Sequence, residues 1–125
     1  MGSGSGVDSH RDLLVWQKAM DLVVLIYGIS EYFPVIERYR LTDQLTRAAA
    51  SVPANIAQGN VRASCKDYAH FVSIARGSLM ETETFVMLAR RLAYISEERA
   101  SPALSAITEI SKMLTSLRNK LTAIA

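Results

Sequence analysis

The last quarter of the chain carries the pattern that most restricts its fold. Ala103, Ile107, Ile110, Leu114, Leu117, Leu121 and Ile124 recur at alternating steps of four and three. Such a seam lies along one side of a helix and demands helical partners packed nearly antiparallel at a shallow angle. Ser96 and Ser101 both offer a start, and Pro102, suited to a first turn, favours Ser101.

Three further segments have the same character. The first is expected to begin after Asp12, whose side chain can cap free N–H groups, and to run to about Tyr32. Trp16, Met20, Val23 and Tyr27 form one stripe on it; Leu14, Leu22, Leu25 and Ile29 form another. Pro34 ends the segment. The second carries Leu41, Leu45, Ala48, Val52 and Ile56 on one face. Pro53 interrupts that face without breaking its period, which predicts a bent helix, and Gly59 reads as its C-terminal cap.

The third segment opens at Ser64, with Asp67 as a short capping box, and persists to about Ile95. Tyr68, Phe71, Ala75, Leu79, Thr82, Val86, Ala89 and Ala93 form one stripe. A second comprises Ile74, Ser78, Glu81, Phe85, Leu88, Leu92 and Ile95. Gly77 and Ser78 lower helix propensity in mid-segment, which predicts the close passage of another helix. No stretch alternates as a strand would. The expected fold is all-α, an antiparallel up-down-up-down four-helix bundle with a kinked second helix.

Half of the 125 residues are hydrophobic but only 7% are aromatic, a balance that suits packed helices. Residues 1–9 read as a Gly/Ser linker or tail, which leaves one domain over 10–125. Without Asp8, that domain has 14 bases against 11 acids, or +3. The single cysteine, Cys65, permits no internal disulfide and fits a reducing, cytoplasmic setting. The longest apolar run, Leu22 to Tyr27, is far shorter than the roughly 20 residues that span a bilayer, so no membrane role is expected.

One bundle helix needs one apolar stripe about 100° wide. The first and third segments each have two. Leu25, Phe85, Leu88 and Leu92 would then face water, and burying several such side chains, at about 25 cal/mol per Å², contributes several kcal/mol. The expectation is a homo-oligomer in which these four residues line the contact. The alternative is a monomer whose helices tilt to cover both stripes.

Three stretches resemble a known family. They are Asp12-Leu13-Leu14-Val15-Trp16-Gln17-Lys18-Ala19, then Leu41 to Ala49 followed by Ser51-Val52-Pro53-Ala54-Asn55-Ile56-Ala57-Gln58-Gly59, and finally Ala75 to Thr84. In this order and spacing they resemble the bundle proteins encoded in intervening sequences of bacterial 23S ribosomal RNA genes. More distantly, they resemble the accessory variability determinants of diversity-generating retroelements. The resemblance implies a left-handed bundle, a ring-shaped homopentamer, no catalytic activity and an association with nucleic acid. Gln58 stands where the family usually has Glu. After Gly59, the residues Asn60, Val61, Arg62 and Ala63 supply one base where the family often has an aromatic and several arginines.

Arg38, Arg40, Arg47, Arg62 and Lys66 cluster in sequence around the second segment, and Arg76 joins them from the third as a nucleic-acid-binding candidate. They read either as a phosphate-contacting surface or as a solvated face with inter-subunit ion pairs. On a pentamer, +3 would become about +15 and weak contacts would add through avidity. No aromatic–basic pattern for stacking single-stranded bases is visible. A second basic set is Arg90, Arg91, Arg99, Lys112, Arg118 and Lys120. Asn55, Gln58 and Glu81 are candidates for a polar site between helices, serving either function or the hydrogen bonding of the bent helix.

Asp67 and His70 share a helical face but are too few to hold a metal. No phosphate loop, nucleophile elbow or paired acids occur, so neither cofactor nor catalysis is expected. The expected function is a non-catalytic oligomeric adaptor with RNA or DNA as partner. The alternative is a protein–protein scaffold with no nucleic-acid role.

Overall fold

The computed structural model describes residues 9–124, with side chains from Asp12 onward. The expected tail lies outside them, except Ser9. Four α-helices follow one another: α1 (Ser9–Ser30), α2 (Leu41–Asn60), α3 (Cys65–Arg91) and α4 (Glu97–Ile124), with a 3₁₀ turn at Val35–Glu37 between the first two. No strand occurs among the described residues.

Helix α1 packs on α2 and α4, and α3 packs on the same two, while the backbones of the diagonal pairs stay apart and α1 reaches α3 through the Asp12–Tyr68 hydrogen bond. Each helix therefore turns one flank inward. The core lies between Val15, Leu22 and Ile26 of α1, Leu45, Val52 and Ile56 of α2, Tyr68 and Leu79 of α3, and Ile107, Ile110, Leu114 and Leu121 of α4. The α4 seam is buried as its spacing requires, apart from Ile124 at the exposed end. The α2 face is buried throughout, and the helix runs through Pro53 to Asn60.

Several local expectations are corrected. Helix α1 already includes Ser9, so Asp12 lies inside it rather than capping it. Its core stripe is Val15, Ala19, Leu22, Ile26 and Ile29. The Trp16–Met20–Val23–Tyr27 stripe is half-buried or exposed. Helix α4 starts at the earlier site, where Ser96 Oγ accepts the Arg99 N–H at 3.1 Å, and Pro102 is held inside it. Helix α3 starts as expected, with Ser64 Oγ accepting the Asp67 N–H at 3.1 Å.

Helix α3 stops at Arg91 rather than near Ile95. Ala93 takes φ 63°, and the Ala93 and Tyr94 N–H groups turn back to the carbonyls of Arg90 and Ala89. These are the two hydrogen bonds of a Schellman ending, with alanine where glycine is usual. Gly59 lies within α2, and its role is spacing. A Cβ there would meet Tyr68 Cδ1 at 2.7 Å and Phe71 Cβ at 2.9 Å. Gly77 has nothing within 4 Å, so no helix of this chain passes close to it. Its neighbour Ser78 does meet α2, through Ser51 Oγ at 2.9 Å.

By length and composition, the α1 stretch Asp12–Ser30 is apolar enough to cross a membrane, at a mean hydropathy of 1.5. The expectation from the longest unbroken run missed this, because Lys18 and Asp21 interrupt the run without lowering the average much. The apolar character has two sources on this helix, an inner face in the core and an outer face described next.

Candidate functional site

The second α3 stripe, predicted to be surplus to one bundle, is only partly outside the core: Ile95 is buried and Ser78 meets α2, while Glu81 and the leucines remain on the surface. Leu88 and Leu92 are 42% and 47% exposed, Ile74 and Met87 are exposed beside them, and Phe85 is half-buried. Glu81 is exposed within the same face. Helix α1 has a matching outer face of Leu13, Leu14, Met20, Val24 and Tyr27, with Val24 72% exposed and Leu25 half-buried beside it. Because α1 and α3 lie diagonally across the bundle, the two apolar faces belong to separate flanks of it. No tilt of the helices has covered them.

The basic candidates do not converge. Arg38 and Arg40 lie just before α2, Arg62 and Lys66 just after it, and 20 helical residues between them span about 30 Å. Arg47 sits on α2 in a 3.0 Å ion pair with Asp43, and Arg76 is exposed midway along α3. All six are exposed. The Arg62 guanidinium lies 4.5 Å from the centre of the Phe71 ring, which fixes its base while its charge stays in water. Elsewhere Lys18 and Glu109 join α1 to α4 at 3.1 Å.

The inter-helix polar candidates separate likewise. Asn55 Nδ2 donates to the Ser51 carbonyl at 2.8 Å and to Ser51 Oγ at 2.9 Å, within the contact that Ser51 makes with Ser78. Gln58, like Glu81, faces solvent. Asp67 and His70 are exposed, and no three His, Cys, Asp or Glu side chains form a metal-sized group among the described residues.

Two polar clusters had no counterpart in the sequence reading. At the end where α2 passes to α3, Asp12 is buried to 5% exposure. Its Oδ2 accepts the Tyr68 hydroxyl at 3.0 Å and Asn60 Nδ2 at 3.4 Å, and Asn60 also reaches the Tyr68 oxygen at 3.2 Å. Burial and the neighbouring carboxylate push the Tyr68 phenol far above its ordinary pKa, so it stays a donor. Gly59 is what lets the Tyr68 ring enter. An isolated glycine inside an otherwise unbroken helical pattern was the available signal.

At the opposite end, Glu37 Oε2 accepts the Tyr94 hydroxyl at 2.7 Å and its Oε1 accepts the Leu41 N–H at 3.2 Å. The Tyr94 hydrogen bond, aided by the Leu41 one, holds the Glu37 carboxyl below its usual value. Tyr94 stacks obliquely on Phe33 with centroids 5.8 Å apart. An aromatic–basic pattern, contrary to the expectation of none, also forms here, and its Arg38-Tyr39-Arg40 part was legible in the sequence. The Arg99 guanidinium lies 3.8 Å from the centre of the Tyr32 ring, and Tyr39 is 84% exposed between Arg38 and Arg40.

This arrangement of helices is shared with a solved protein of unknown function, from the S23 ribosomal protein family of Bacteroides thetaiotaomicron. It is 26% identical, with a TM-score of 0.80 over 87% of this chain and 98% of that one. No curated protein matches the chain. The model of one family, described as 23S rRNA-intervening sequence protein, matches residues 11–116, from the first turns of α1 deep into α4. With the Pro53 stretch of α2, the glycine that admits Tyr68 and most of the regular α4 seam inside that span, the chain belongs to the 23S rRNA-intervening sequence protein family.

Proposed function

We propose that the protein is a non-catalytic cytoplasmic adaptor that assembles into a ring, a homopentamer, and binds nucleic acid through exposed arginines and lysines. The observation that carries this reading is the pair of apolar faces on α1 and α3, at opposite corners of the bundle. A contact that joins one patch to a different patch on the next copy is heterologous, and such contacts close into rings when the rotation allows. Two separate patches on one subunit fit that scheme better than a two-fold dimer, which would use one patch twice.

The meeting of helix ends supports the up-down-up-down order: Asp12 at the start of α1 touches Asn60 at the end of α2 and Tyr68 at the start of α3. A bend in α2 is supported by Pro53, which has no N–H for the carbonyl four residues back.

Light scattering on the eluting peak of a sizing column tests the assembly. The wild-type protein is expected to run as one closed oligomer, and Leu88→Asp with Leu92→Asp as a folded monomer of unchanged helicity. A wild-type monomer in dilute solution would refute the ring.

The protein-scaffold alternative has one observation in its favour. Tyr32, Val35, Ile36 and Tyr39 are exposed together with Arg38 and Arg40 on the segment between α1 and α2. Tyrosine and arginine dominate the energetic centres of protein contacts. A protein partner captured after nuclease treatment, and lost with Tyr39→Ala, would favour it.

A further inference from the structure

Charge is distributed unevenly along the bundle axis, and the two ends differ in a way the sequence order hides. One end gathers the start of α1, the end of α2, the start of α3 and the end of α4. Asp12 meets Asn60 and Tyr68 there, and shares a cleft of about 360 Å³ with Lys112 and Lys120 of α4. Arg118 joins α4 to α3 by donating from Nε to Ser73 Oγ at 2.9 Å. This end exposes Arg62, Lys66, Arg118 and Lys120, and Lys112, near the middle of α4, continues the basic face inward from Lys120. The acids near it among the described residues are Asp67, which is exposed, Asp12, which is buried against Tyr68 and Asn60, and Glu109, one turn from Lys112, which is paired with Lys18 at 3.1 Å. The opposite end sets Arg38, Arg40, Arg90, Arg91 and Arg99 among Glu31, Glu37, Glu97 and Glu98, close to balance.

The α4 part of the basic end has a regular polar face. Lys112, Ser116 and Lys120 follow at steps of four, with Thr115 and Asn119 alongside. Two ammonium groups eight residues apart stand about 12 Å from each other along the helix. That distance spans several phosphates of a nucleic-acid strand, where charges follow every 3.4 Å or so. The hydroxyl and amide groups between them are of the kind that bond phosphate oxygens without reading bases. Among the described residues, no exposed Phe, Tyr or Trp ring stands free at this end, and the exposed His70 ring lies edge-on to Phe71 with centroids 5.7 Å apart. Tyr68 is buried, Trp16 is half-buried and Phe71 lies under Arg62. Phosphate contact is therefore served here and base stacking is not, which favours a duplex over a single strand.

We propose that this end of the bundle, centred on Lys112, Lys120, Arg62 and Lys66, is a sequence-independent docking surface for the phosphate backbone of duplex nucleic acid. The proposal rests on the nucleic-acid reading above and locates it. In a ring closed through the outer faces of α1 and α3, every subunit turns the same end to the same rim, so five such patches form one basic annulus. Avidity then multiplies contacts that are weak singly.

The test is fluorescence anisotropy with a labelled RNA duplex of about 20 base pairs and with one of its strands alone, at about 50 and 200 mM salt. Lys112→Glu with Lys120→Glu, and separately Arg62→Glu with Lys66→Glu, are expected to weaken duplex binding at least tenfold at low salt. Each pair should also flatten the salt slope. Arg38→Glu with Arg40→Glu, at the far end, is expected to stay within twofold. A sizing column run on each variant checks that the assembly is retained.

Three results would overturn the proposal. A greater loss from the Arg38 and Arg40 pair would move the site to the opposite end. So would a single strand bound more tightly than the duplex and released by Tyr39→Ala. An equal loss from all three pairs would mean diffuse attraction with no docking surface. Wild-type protein that binds neither probe at low salt refutes the nucleic-acid reading itself, a result distinct from these three.

Discussion

Replacing Gly59 with alanine puts the close packing of α2 against α3 to a quantitative test. The added Cβ would stand 2.7 Å from Tyr68 Cδ1, 3.2 Å from Tyr68 Cε1 and 2.9 Å from Phe71 Cβ. The Tyr68 ring has no room to retreat, since it is fully buried and its hydroxyl is tied to Asp12 and Asn60. The Phe71 Cβ moves only with the α3 backbone. Overpacking of this kind costs about 1–3 kcal/mol. Alanine recovers up to about 1 kcal/mol of helix propensity over glycine. The net expectation is a loss of about 1–2 kcal/mol, or roughly 4–8 °C in Tm for a chain of this size.

Gly28→Ala supplies the opposite sign. Gly28 lies inside α1 with nothing within 4 Å of a Cβ, so the propensity gain stands alone, about 0.5–1 kcal/mol. Urea and thermal unfolding followed by circular dichroism, at one fixed protein concentration because the proposed assembly would add stability by mass action, would measure both. A Gly59→Ala protein at least as stable as wild type, with an unchanged m-value, would refute the packing argument.

Other changes have equally definite expectations. Ala93→Gly should raise stability by about 0.5–1 kcal/mol in the same urea titration, because position 93 already holds φ 63° and glycine removes the Cβ penalty there. Asp12→Ala leaves the Tyr68 hydroxyl and the Asn60 amide without their acceptor and should cost about 1–3 kcal/mol, whereas Tyr68→Phe should cost about 1 kcal/mol. Equal midpoints for Asp12→Ala and wild type would argue against that buried network. Glu37 has a folded pKa below its ordinary 4.5, so its contribution is complete above that value and is lost as pH falls through the folded one. Tyr94→Phe removes the largest cause, and stability measured from pH 6 down to 3 should then fall less steeply than in wild type. Parallel pH profiles for the two would sink this assignment.

Where one helix face is apolar and the other polar, the sequence decided burial unaided. The α4 seam and the α2 face show this, because a helix with a single stripe has one way to turn. Where the helix is apolar nearly all round, spacing found the stripes but not their direction. On α1 the core took Val15, Ala19 and Ile26, which belong to neither expected stripe, and the Trp16 and Tyr27 line was left outside. On α3 both stripes were legible, and the presence of α2 and α4 selected which of them turned inward.

The candidate site divides in the same manner. That the bundle carries more apolar surface than it can bury, and that its bases outnumber its acids, is written in residue identities and survives any arrangement. Which bases stand together is not, because neighbours in sequence on either side of α2 are held about a helix length apart. Lys112 and Lys120, 100 and 108 residues beyond Asp12, line one cleft with it only because α4 packs beside α1. The buried triad of Asp12, Asn60 and Tyr68 likewise depends on contacts across 48 and 56 residues. Local chemistry determined the helices; the closure of four of them around one core decided which side chains meet.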